Sequence, residues 1–478
     1  MFFSTRSPKG LGHRAALGGL VACHLAVWGG VFFKAGAVWS SPLGDLDRHF
    51  MAWRIFAADQ LRQGILPLWT PATLNGTPFL GGFESALLYP FNWLFTVLPP
   101  APAANLVMAA QVLLAGLFTY GWAFSRGLRP AACWLAAMVA SLGGPLLLQV
   151  YAGHLSNLCA MAWIPFLFWA FDEFTRRPSV PWGLGLALGS CLQGLAGHPQ
   201  YVYETAILLG LYAVLSGAFS PSRRGRTFLA VAAYAAGFLL SAAQWLPGLQ
   251  ALEGSARGGL WDPKTSGLFS LPPENLLTLF LPDLFGPVGS NLYWGRWYLW
   301  DVSLFMGFTP LLLAAYALSR RGGFRGPDPW TALAAFLLAL GPATPLFQVL
   351  FHFLPGFHSL RGTCKFDFFI TLFLGLLAGS GLDRLWKQGR CPKGTAWGLG
   401  LTALAAAGLG LALRASAAQG PAGAWEKGWA GLPWLQKGLA YLDPVQRDLF
   451  ARGAGARAAE SIFLLALTAA VLAFAEAW

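Results

Sequence analysis

The sequence predicts an all-α polytopic membrane protein with about 12 transmembrane helices. Its 478 residues are 56% hydrophobic and only 11% charged, whereas a soluble domain carries about 25% charged residues. A membrane-spanning helix needs about 20 mainly apolar residues, and twelve segments approach that length. Gly (58 residues) and Trp (22 residues) are abundant, as expected for close helix packing and for aromatic belts at the membrane interface.

The predicted spans follow the apolar segments in order. They cover residues 15–33, 104–124, 131–150, 155–171, 182–197, 201–219, 228–249, 302–318, 330–350, 366–385, 396–413 and 458–475. The segments 155–171 and 182–197 are short for a complete span, so their ends are the least well defined. Basic residues precede the first span and no A-x-A-like cleavage site follows it. We therefore interpret the first span as a retained helix with its N-terminus in the cytoplasm.

Charge alternates along the chain in the way that a multi-pass protein requires. The N-terminus and the even-numbered turns hold 17 of the 32 Lys and Arg but only five of the 20 Asp and Glu, so this side carries the whole net charge of +12. This is the positive-inside pattern, and we expect these basic turns to face anionic lipid headgroups. It excludes nucleic-acid binding as the explanation of the basic sequence pI of about 9.7.

The unusual polar residues lie in the segments predicted to face outward. The long outward segments are residues 34–103, 250–301 and 414–457, and short outward turns carry His154, His198 and Arg361. The cytoplasmic turns are too short to build a site. We therefore predict an extracytoplasmic site in a transmembrane module of residues 1–395, followed by C-terminal helices in residues 396–478.

The first outward loop has local structure of its own. Residues 45–63 show apolar positions at helical spacing, with Asp45 or Asp47 at the N-terminus and Gly64 at the C-terminal cap. The helix dipole favours an anion at that N-terminus, which would keep a carboxylate ionised. Asp45 is therefore either a helix cap or a catalytic base, and the sequence leaves both open.

Other parts of this loop carry turn signals. Residues 66–71 are expected to be extended because each Pro disfavours helix in the residue before it. Asn75-Gly76 is a turn signal, and residues 84–90 predict a second short interfacial helix or turn. The chain has no phosphate-loop, dinucleotide-binding, zinc-protease or nucleophile-elbow motif. Its six cysteines lack metal-ligand spacing, and a divalent metal between Asp45 and Asp47 rests on two carboxylates alone, which do not define a site.

Several short motifs in a fixed order resemble those of the bacterial YfhO-like membrane proteins, which belong to the GT-C superfamily of polyprenyl-phosphate-sugar glycosyltransferases. They are Gly44-Asp45, Gly64-Ile-Leu-Pro67-Leu68-Trp69-Thr-Pro71, Gly76-Thr-Pro78-Phe79, Ala86-Leu-Leu-Tyr89-Pro90-Phe-Asn92, Ala152-Gly153-His154-Leu155, Gly197-His198-Pro199-Gln200, Leu281-Pro282-Asp283-Leu284-Phe285-Gly286, Tyr293-Trp294-Gly295, Phe357-His-Ser-Leu-Arg361 and Gly379-Ser-Gly381-Leu382-Asp383. The resemblance covers residues 15–390, and residues beyond about 395 match little of it.

The resemblance implies a GT-C-like fold and a function. The protein would lie in the bacterial inner membrane and transfer a sugar from a polyprenyl-phosphate-linked donor to an extracytoplasmic glycan, lipid or protein acceptor. Asp45 matches the family's Gly-Asp and would be the base. Asp47 is either a second carboxylate or an ion-pair partner of Arg48 or Arg54. Arg361 and Lys365 would clamp the leaving phosphate, unless they only extend towards the membrane interface.

Further candidate residues would line the donor and acceptor sites. His154 and His198 would bind phosphate or sugar hydroxyls, or make local structural hydrogen bonds. Glu204 lies one turn after Gln200, so the two share a helix face, and a charge in a span is expected to be functional or paired with an Arg. The remaining candidates for the sugar or acceptor pocket are Asp283, Tyr293, Trp294 and Glu84. Tyr and Trp also suit any membrane interface, and related sequences often carry Gln at the position of Glu84.

Two other classes of function compete with the glycosyltransferase. A transporter or lipid flippase requires ionisable residues at the membrane midplane and helices broken in paired positions, and the sequence has almost no charge within its spans. A non-catalytic scaffold for envelope assembly is the third possibility. Loss of sugar transfer on mutation of Asp45 would separate the first class from the other two.

Overall fold

A computed structural model describes residues 8–477 except for 35, 43, 74, 255–260, 287–292, 321, 389–392 and 433–442. It confirms the predicted all-α architecture. In chain order the described α-helices are α1 (Pro8–Phe32), α2 (Met51–Arg62), α3 (Pro100–Ser125), α4 (Pro130–Leu142), α5 (Gly144–Ala152), α6 (Leu155–Met161), α7 (Ile164–Arg176), α8 (Val180–Leu195), α9 (Pro199–Phe219), α10 (Arg224–Leu240), α11 (Ala242–Glu253), α12 (Pro263–Ser266), α13 (Leu299–Val302), α14 (Phe308–Ser319), α15 (Asp328–Ala339), α16 (Pro345–Phe353), α17 (Asp367–Gln388), α18 (Lys393–Ala418), α19 (Ala424–Ala430) and α20 (Pro444–Ala477).

Helices occupy all twelve segments predicted to span the membrane, but not all of them are long enough to do so. In the described ranges, eight helices have the length and composition of a membrane span, or nine if one bent pair counts as a span. The eight are Gly12–Phe32, Pro100–Ser125, Pro130–Ala152, Leu155–Arg176, Pro199–Phe219, Thr363–Gln388, Trp397–Ala418 and Pro444–Phe474. The protein is therefore a multi-pass membrane protein, with fewer full-length spans than its hydropathy predicts.

Three of the predicted spans are corrected by the structure. The segment 182–197 forms α8, which has 16 residues. The segment 302–318 is helical only from Phe308, because Gly307 takes a φ of +95° that ends the preceding extended stretch. The segment 330–350 is divided between α15 and α16, since Gly341 has a φ of +50° and Pro342 follows it. Apolar composition thus continues across breaks in the helical backbone.

Three other predicted spans contain a break or a bend, and one of them, 155–171, is interrupted between α6 and α7. α10 and α11 meet at Ser241 with a bend of 70°. α4 and α5 are separated at Gly143, and the amide of Gly144 donates to the carbonyl of Phe305 at 2.8 Å. A Cβ atom at Gly144 would lie 2.9 Å from that carbonyl oxygen. Glycine at this break therefore lets an extended segment approach the helix closely.

The first loop folds as its local sequence predicts. A helical turn at Leu46–Phe50 leads directly into α2. At the end of α2, the amide of Gly64 donates to Leu61 O at 3.0 Å and that of Ile65 to Gln60 O at 2.9 Å, which is the Schellman motif with glycine at the left-handed position. Two short antiparallel strands, β1 (Trp69–Thr70) and β2 (Thr77–Pro78), follow.

The turn between β1 and β2 is the predicted Asn75-Gly76, whose φ angles are +62° and +117°. The predicted short helices near residues 84–90 are also present, as 3₁₀ turns at Phe83–Ser85 and Pro90–Thr96. The predicted outer loop 414–457 is shorter than expected. α18 continues to Ala418 and α20 begins at Pro444, because charged residues continue each helix beyond its apolar part.

The ends of α3 define two ends of the helix bundle. Near its start, the Asn105 side chain accepts from the amide of Trp39 and donates to the carbonyl of Ala37, just before the Asp45 loop. We call this the Asp45 end. The 26 residues of α3 extend about 39 Å at the helical rise of 1.5 Å per residue. They lead to Arg126 at the other end, where the turns containing Arg126, Arg176, Arg223 and Arg325 meet around one cavity. We call this the basic end.

Candidate functional site

Two glycine-containing motifs that are far apart in the sequence meet at Asp45. Gly153 ends α5 with a φ of +76°, and a Cβ atom there would lie 2.6 Å from Leu46 Cβ and 2.7 Å from Leu46 N. On the other side of the contact, a Cβ atom at Gly44 would lie 3.0 Å from Ala152 O. The absence of side chains at both positions lets the turn after α5 pack directly on the turn before α2. This packing brings His154 to Asp45.

Asp45 is hydrogen-bonded to His154. His154 Nε2 donates to Asp45 Oδ2 at 3.0 Å, and the His154 side chain is only 14% exposed whereas that of Asp45 is 61% exposed. The other ring nitrogen lies 2.6 Å from Gln149 Oε1, and Gln149 Nε2 donates to Trp300 O at 2.9 Å. Gln149 thus fixes the orientation of the His154 ring, and Nε2 presents a hydrogen-bond donor to a carboxylate that remains open to solvent.

The environment of Asp45 favours the ionised carboxylate. The hydrogen bond from His154 is the largest influence and lowers the pKa of Asp45 below its ordinary value. Partial burial opposes this effect, and the charges of His154, His49 and Arg48 reinforce it. Asp45 occupies the N-cap position of the following helical turn but makes no capping hydrogen bond with its side chain. The carboxylate is therefore oriented by a histidine instead of by the helix end.

Asp47 is exposed and lies on the first turn of the same helix. Arg54, which the sequence offered as its partner, is buried instead and makes other contacts. Arg54 donates to the carbonyl oxygens of Glu84 and Ser85 and to Ser156 Oγ. Burial lowers the pKa of the Arg54 guanidinium to about 10, so it stays charged at neutral pH. Arg54 thereby fastens the turn that carries Glu84 to α2.

Glu84 joins the Asp45 end through a second histidine. His49 Nε2 lies 2.8 Å from Glu84 Oε2, and both side chains are partly exposed. His49 follows Asp45 by four residues, which places the two on the same face of the helix. The Asp45–His154 and His49–Glu84 pairs therefore form a short row of alternating acids and bases. Sequence reasoning missed His49, although its i, i+4 spacing from Asp45 was available.

A row of aromatic rings, edge-on at His154 and stacked beyond it, runs from His154 to Arg361. The His154 and Trp300 rings are 6.5 Å apart, and Trp300 stacks on Tyr298 at 4.8 Å with an interplanar angle of 4°. Tyr298 stacks on Phe269 at 5.6 Å, and the Arg361 guanidinium lies 5.2 Å from the centre of the Phe269 ring. This aromatic row is built by the second long loop. It connects the two places where the sequence predicts a base and a phosphate clamp.

Arg361 and Lys365 lie in different surroundings. Arg361 is exposed, and its guanidinium packs over the Trp261 and Phe269 rings. Lys365 interacts electrostatically with the buried Asp301, Glu204 and Asp367, and ion pairs within 4 Å are absent among these four described residues. Arg361 is therefore the more accessible cation of the two.

Glu204 and Gln200 share a helix face as predicted. Gln200 Nε2 donates to Glu204 Oε1 at 2.9 Å and to Gly362 O at 3.1 Å. Glu204 is fully buried, and within the described part of the chain it has no Arg partner. Of the two predicted alternatives, a functional role therefore stays a prediction. The Gln200–Glu204 pair links α9 to the segment that carries Arg361. Asp301 and Asp367 belong to the same buried group and were not singled out from the sequence.

The remaining predicted residues have local contacts. His198 caps α9, where its Nδ1 accepts from the amide of Tyr201 at 3.3 Å, which matches the structural alternative for this residue. The Trp294 ring packs against Phe285 and Phe450. Tyr293 donates to the carbonyl of Trp297. Tyr293 and Trp294 thus join the surface on which α18 and α20 pack, and their role with Asp283 in substrate binding stays a prediction.

Among the described residues, Asp45 belongs neither to a metal site nor to either of two cavities. Within them, no three His, Cys, Asp or Glu side chains lie close enough together to hold a metal ion. A cavity of about 400 Å³ in the first loop is lined by Leu61, Arg62, Leu66, Leu87, Leu88, Trp93 and Thr96. A second cavity, of about 270 Å³, lies at the basic end. Asp45 lines neither of these two cavities and lies on the open surface of its end of the bundle.

The chain matches no protein-family model and no curated protein sequence. The resemblance to YfhO-like proteins therefore stays an expectation from the sequence. Among solved structures, the fold is similar to the crystal structure of ArnT from Cupriavidus metallidurans bound to undecaprenyl phosphate. That match has a TM-score of 0.46 and 15% sequence identity, and it covers 96% of this chain and 77% of that chain. A likeness at this level supports no assignment of function.

Proposed function

We propose that the protein is a GT-C-type membrane glycosyltransferase of the bacterial inner membrane. It moves a sugar from a polyprenyl-phosphate-linked donor to an extracytoplasmic acceptor of the cell envelope. The observation that carries the proposal is the contact between His154 and Asp45, since it unites two motifs of the YfhO-like resemblance around an exposed, ionised carboxylate. Asp45 is the catalytic base in this proposal.

The proposed reaction is an inverting displacement. The acceptor hydroxyl gives its proton to Asp45 while its oxygen forms a bond to the anomeric carbon of the sugar. The bond from that carbon to the phosphate oxygen breaks, and its electron pair leaves with the polyprenyl phosphate. One base on the face opposite the leaving group suffices for inversion. Because the phosphate departs as an anion, a cation can replace the general acid.

Arg361 supports the phosphate side of the proposal. Its guanidinium is exposed and packs on Phe269. This aromatic contact holds the planar guanidinium in place and leaves its N–H groups available to two phosphate oxygens. Between Arg361 and His154 lies the aromatic row, whose stacked rings connect the phosphate side of the proposal to the base. Lys365, which interacts with the buried Asp301, Glu204 and Asp367, adds positive charge to the same segment.

Replacement of Asp45 tests the proposal directly. We expect Asp45→Asn to lower sugar transfer by about 10²–10⁴-fold, the usual contribution of a general base, because asparagine cannot accept the proton. Asp47→Asn is the matched control, since it removes the same charge two residues away from a side chain that is also exposed. The measurement is transfer from a panel of polyprenyl-phosphate-linked hexoses and pentoses by the purified protein in lipid nanodiscs.

A transporter or lipid flippase without sugar transfer remains the second candidate. It gains one specific observation from the structure, namely the bend of 70° between α10 and α11, since broken helices are common at transporter binding sites. This candidate predicts that Asp45→Asn and the wild type translocate lipid-linked sugar equally and that neither releases polyprenyl phosphate. Release by the wild type and its loss in Asp45→Asn would contradict it.

A further inference from the structure

The cavity at the basic end holds more cationic groups than its carboxylates can neutralise. Four arginines line it, against the two carboxylates of Asp172 and Asp328. Arg126 is fully engaged, at 2.8 Å from Asp172 and 2.5 Å from Asp328. Arg176 is held more loosely, at 3.8 Å from Asp172 and 3.5 Å from Glu173. The ion-pair network therefore uses both carboxylates without reaching the other two arginines.

Arg223 and Arg325 are the uncommitted cations of this cavity. Neither guanidinium makes an ion pair or hydrogen bond with another residue that the structure describes. Their neighbours Arg224 and Arg226 are used differently, since these donate to the carbonyls of Gly217 and Arg176. A guanidinium presents a planar set of donors that matches phosphate oxygens. Two such groups facing one cavity provide the chemistry of a phosphate site.

The wall of the cavity also shows where the rest of the ligand would lie. Ser216 and Ser220 add hydroxyl groups to the lining, and Phe219 lies between them in the sequence with 46% of its surface exposed. Beyond the cavity, Val214 on α9 and Phe228 on α10 are 70% and 73% exposed, as expected for helix faces that contact lipid tails. Both helices that carry these exposed apolar residues run to the turn of residues 220–223, part of which lines the cavity.

We propose that this cavity binds the phosphate headgroup of an anionic glycerophospholipid, with Arg223 and Arg325 as the phosphate ligands and the acyl chains along α9 and α10. A free phosphate ion offers the same oxygens but no group for the exposed apolar face. The site lies at the opposite end of α3 from Asp45. It is therefore independent of the proposed transfer reaction.

Lipid binding by the purified full-length chain tests this site. Native mass spectrometry would measure binding of phosphatidylglycerol and phosphatidylcholine to the wild type and to the double variant Arg223→Gln/Arg325→Gln. We expect the double variant to bind phosphatidylglycerol at least tenfold more weakly, because both charge-assisted contacts are lost. Arg177→Gln is the matched control. Arg177 is exposed beside Arg176 but does not line the cavity, so this variant should bind as the wild type does.

Three outcomes would overturn the proposal. They are unchanged phosphatidylglycerol binding by the double variant, an equal loss in Arg177→Gln, and complete displacement of the lipid by an equal concentration of inorganic phosphate. The last result would identify a free-anion site. If the double variant fails to fold, the single variant Arg325→Gln replaces it, since Arg325 is exposed. Its binding should then fall between that of the wild type and the non-specific level, and wild-type binding would contradict the proposal.

Discussion

The charge on Asp45 depends on a partner that lies 109 positions further along the chain. The sequence places Asp45 at a helix N-terminus and predicts a carboxylate stabilised by the helix dipole. The structure shows a different main cause, because the hydrogen bond from His154 has the largest influence on the pKa of Asp45. The residue type and its position could be predicted from local sequence. Its partner could not, because no local pattern specifies a contact between two separate turns.

This contact predicts how activity responds to pH. The folded-state pKa of Asp45 is lowered, so the base stays ionised as pH falls below the ordinary value near 3.8. The stability that the ionised group contributes is present above that value and is lost as pH falls through the lowered pKa. In His154→Ala the hydrogen bond is lost and the pKa rises. We therefore expect the acidic limb of kcat/KM to move to higher pH.

The measurement is a profile of kcat/KM between pH 3 and 7 for the wild type, His154→Ala and His198→Ala. His198 caps α9 and does not influence the Asp45 carboxylate, so its replacement is the histidine control. An acidic limb in His154→Ala at the same pH as in the wild type would show that His154 does not set the ionisation of the base.

At the scale of elements, the candidate site depends on two turns that pack without side chains between them. The helical turn at residues 46–50 and the continuous helix α2 follow from apolar spacing and from Gly64, and both could be predicted. The turn at Asn75-Gly76 could also be predicted, because its signal lies in two adjacent residues. The breaks at Gly143 and Ser241 could not be predicted, because the apolar residues on both sides satisfy a hydropathy criterion whether the helix continues or bends.

Gly153→Ala should disturb this packing. A Cβ atom there would lie 2.6–2.7 Å from Leu46 and Ser40, and the φ of +76° is strained for alanine. We expect a loss of about 1–3 kcal/mol in unfolding free energy. We also expect reduced transfer, because the displaced turn moves His154 away from Asp45. Thermal unfolding in detergent and the transfer assay would measure the two effects.

Gly210→Ala is the control for this substitution. Gly210 lies within α9, has no heavy atom within 4 Å of a Cβ position, and takes no positive φ. Alanine in a helix stabilises by about 0.5–1 kcal/mol relative to glycine, so Gly210→Ala should be neutral or stabilising with normal transfer. If Gly153→Ala behaves in the same way, the close approach of the two turns is not required for the site.

At the scale of the whole molecule, the two ends of the bundle are built differently. At the basic end, Arg126 joins the end of α3 to Asp172 on α7 and to Asp328 at the start of α15. Tyr212 on α9 adds a hydrogen bond to Asp172 at 3.0 Å. At the Asp45 end, Arg54 is buried, but the carboxylates of Asp45 and Glu84 are 61% and 40% exposed. The ion pairs of the basic end thus join its helices, whereas the Asp45 end keeps these two carboxylates accessible.

The buried ion pairs of the basic end should carry a large part of the stability of the bundle. Asp172→Asn removes the charge that faces Arg126, and both side chains are at most 15% exposed. Breaking a buried pair completely costs about 3–5 kcal/mol. Asp328 still faces Arg126 at 2.5 Å in this variant, so we expect a smaller loss of about 1–3 kcal/mol, the cost of a buried hydrogen-bond partner that is removed. Asp59→Asn is the control, since Asp59 and Arg62 form a surface pair that is 53% and 47% exposed, and such pairs contribute about 0–1 kcal/mol. Thermal unfolding of both variants in the same detergent would measure the difference, and equal melting midpoints would show that the helices are held together by their apolar contacts alone.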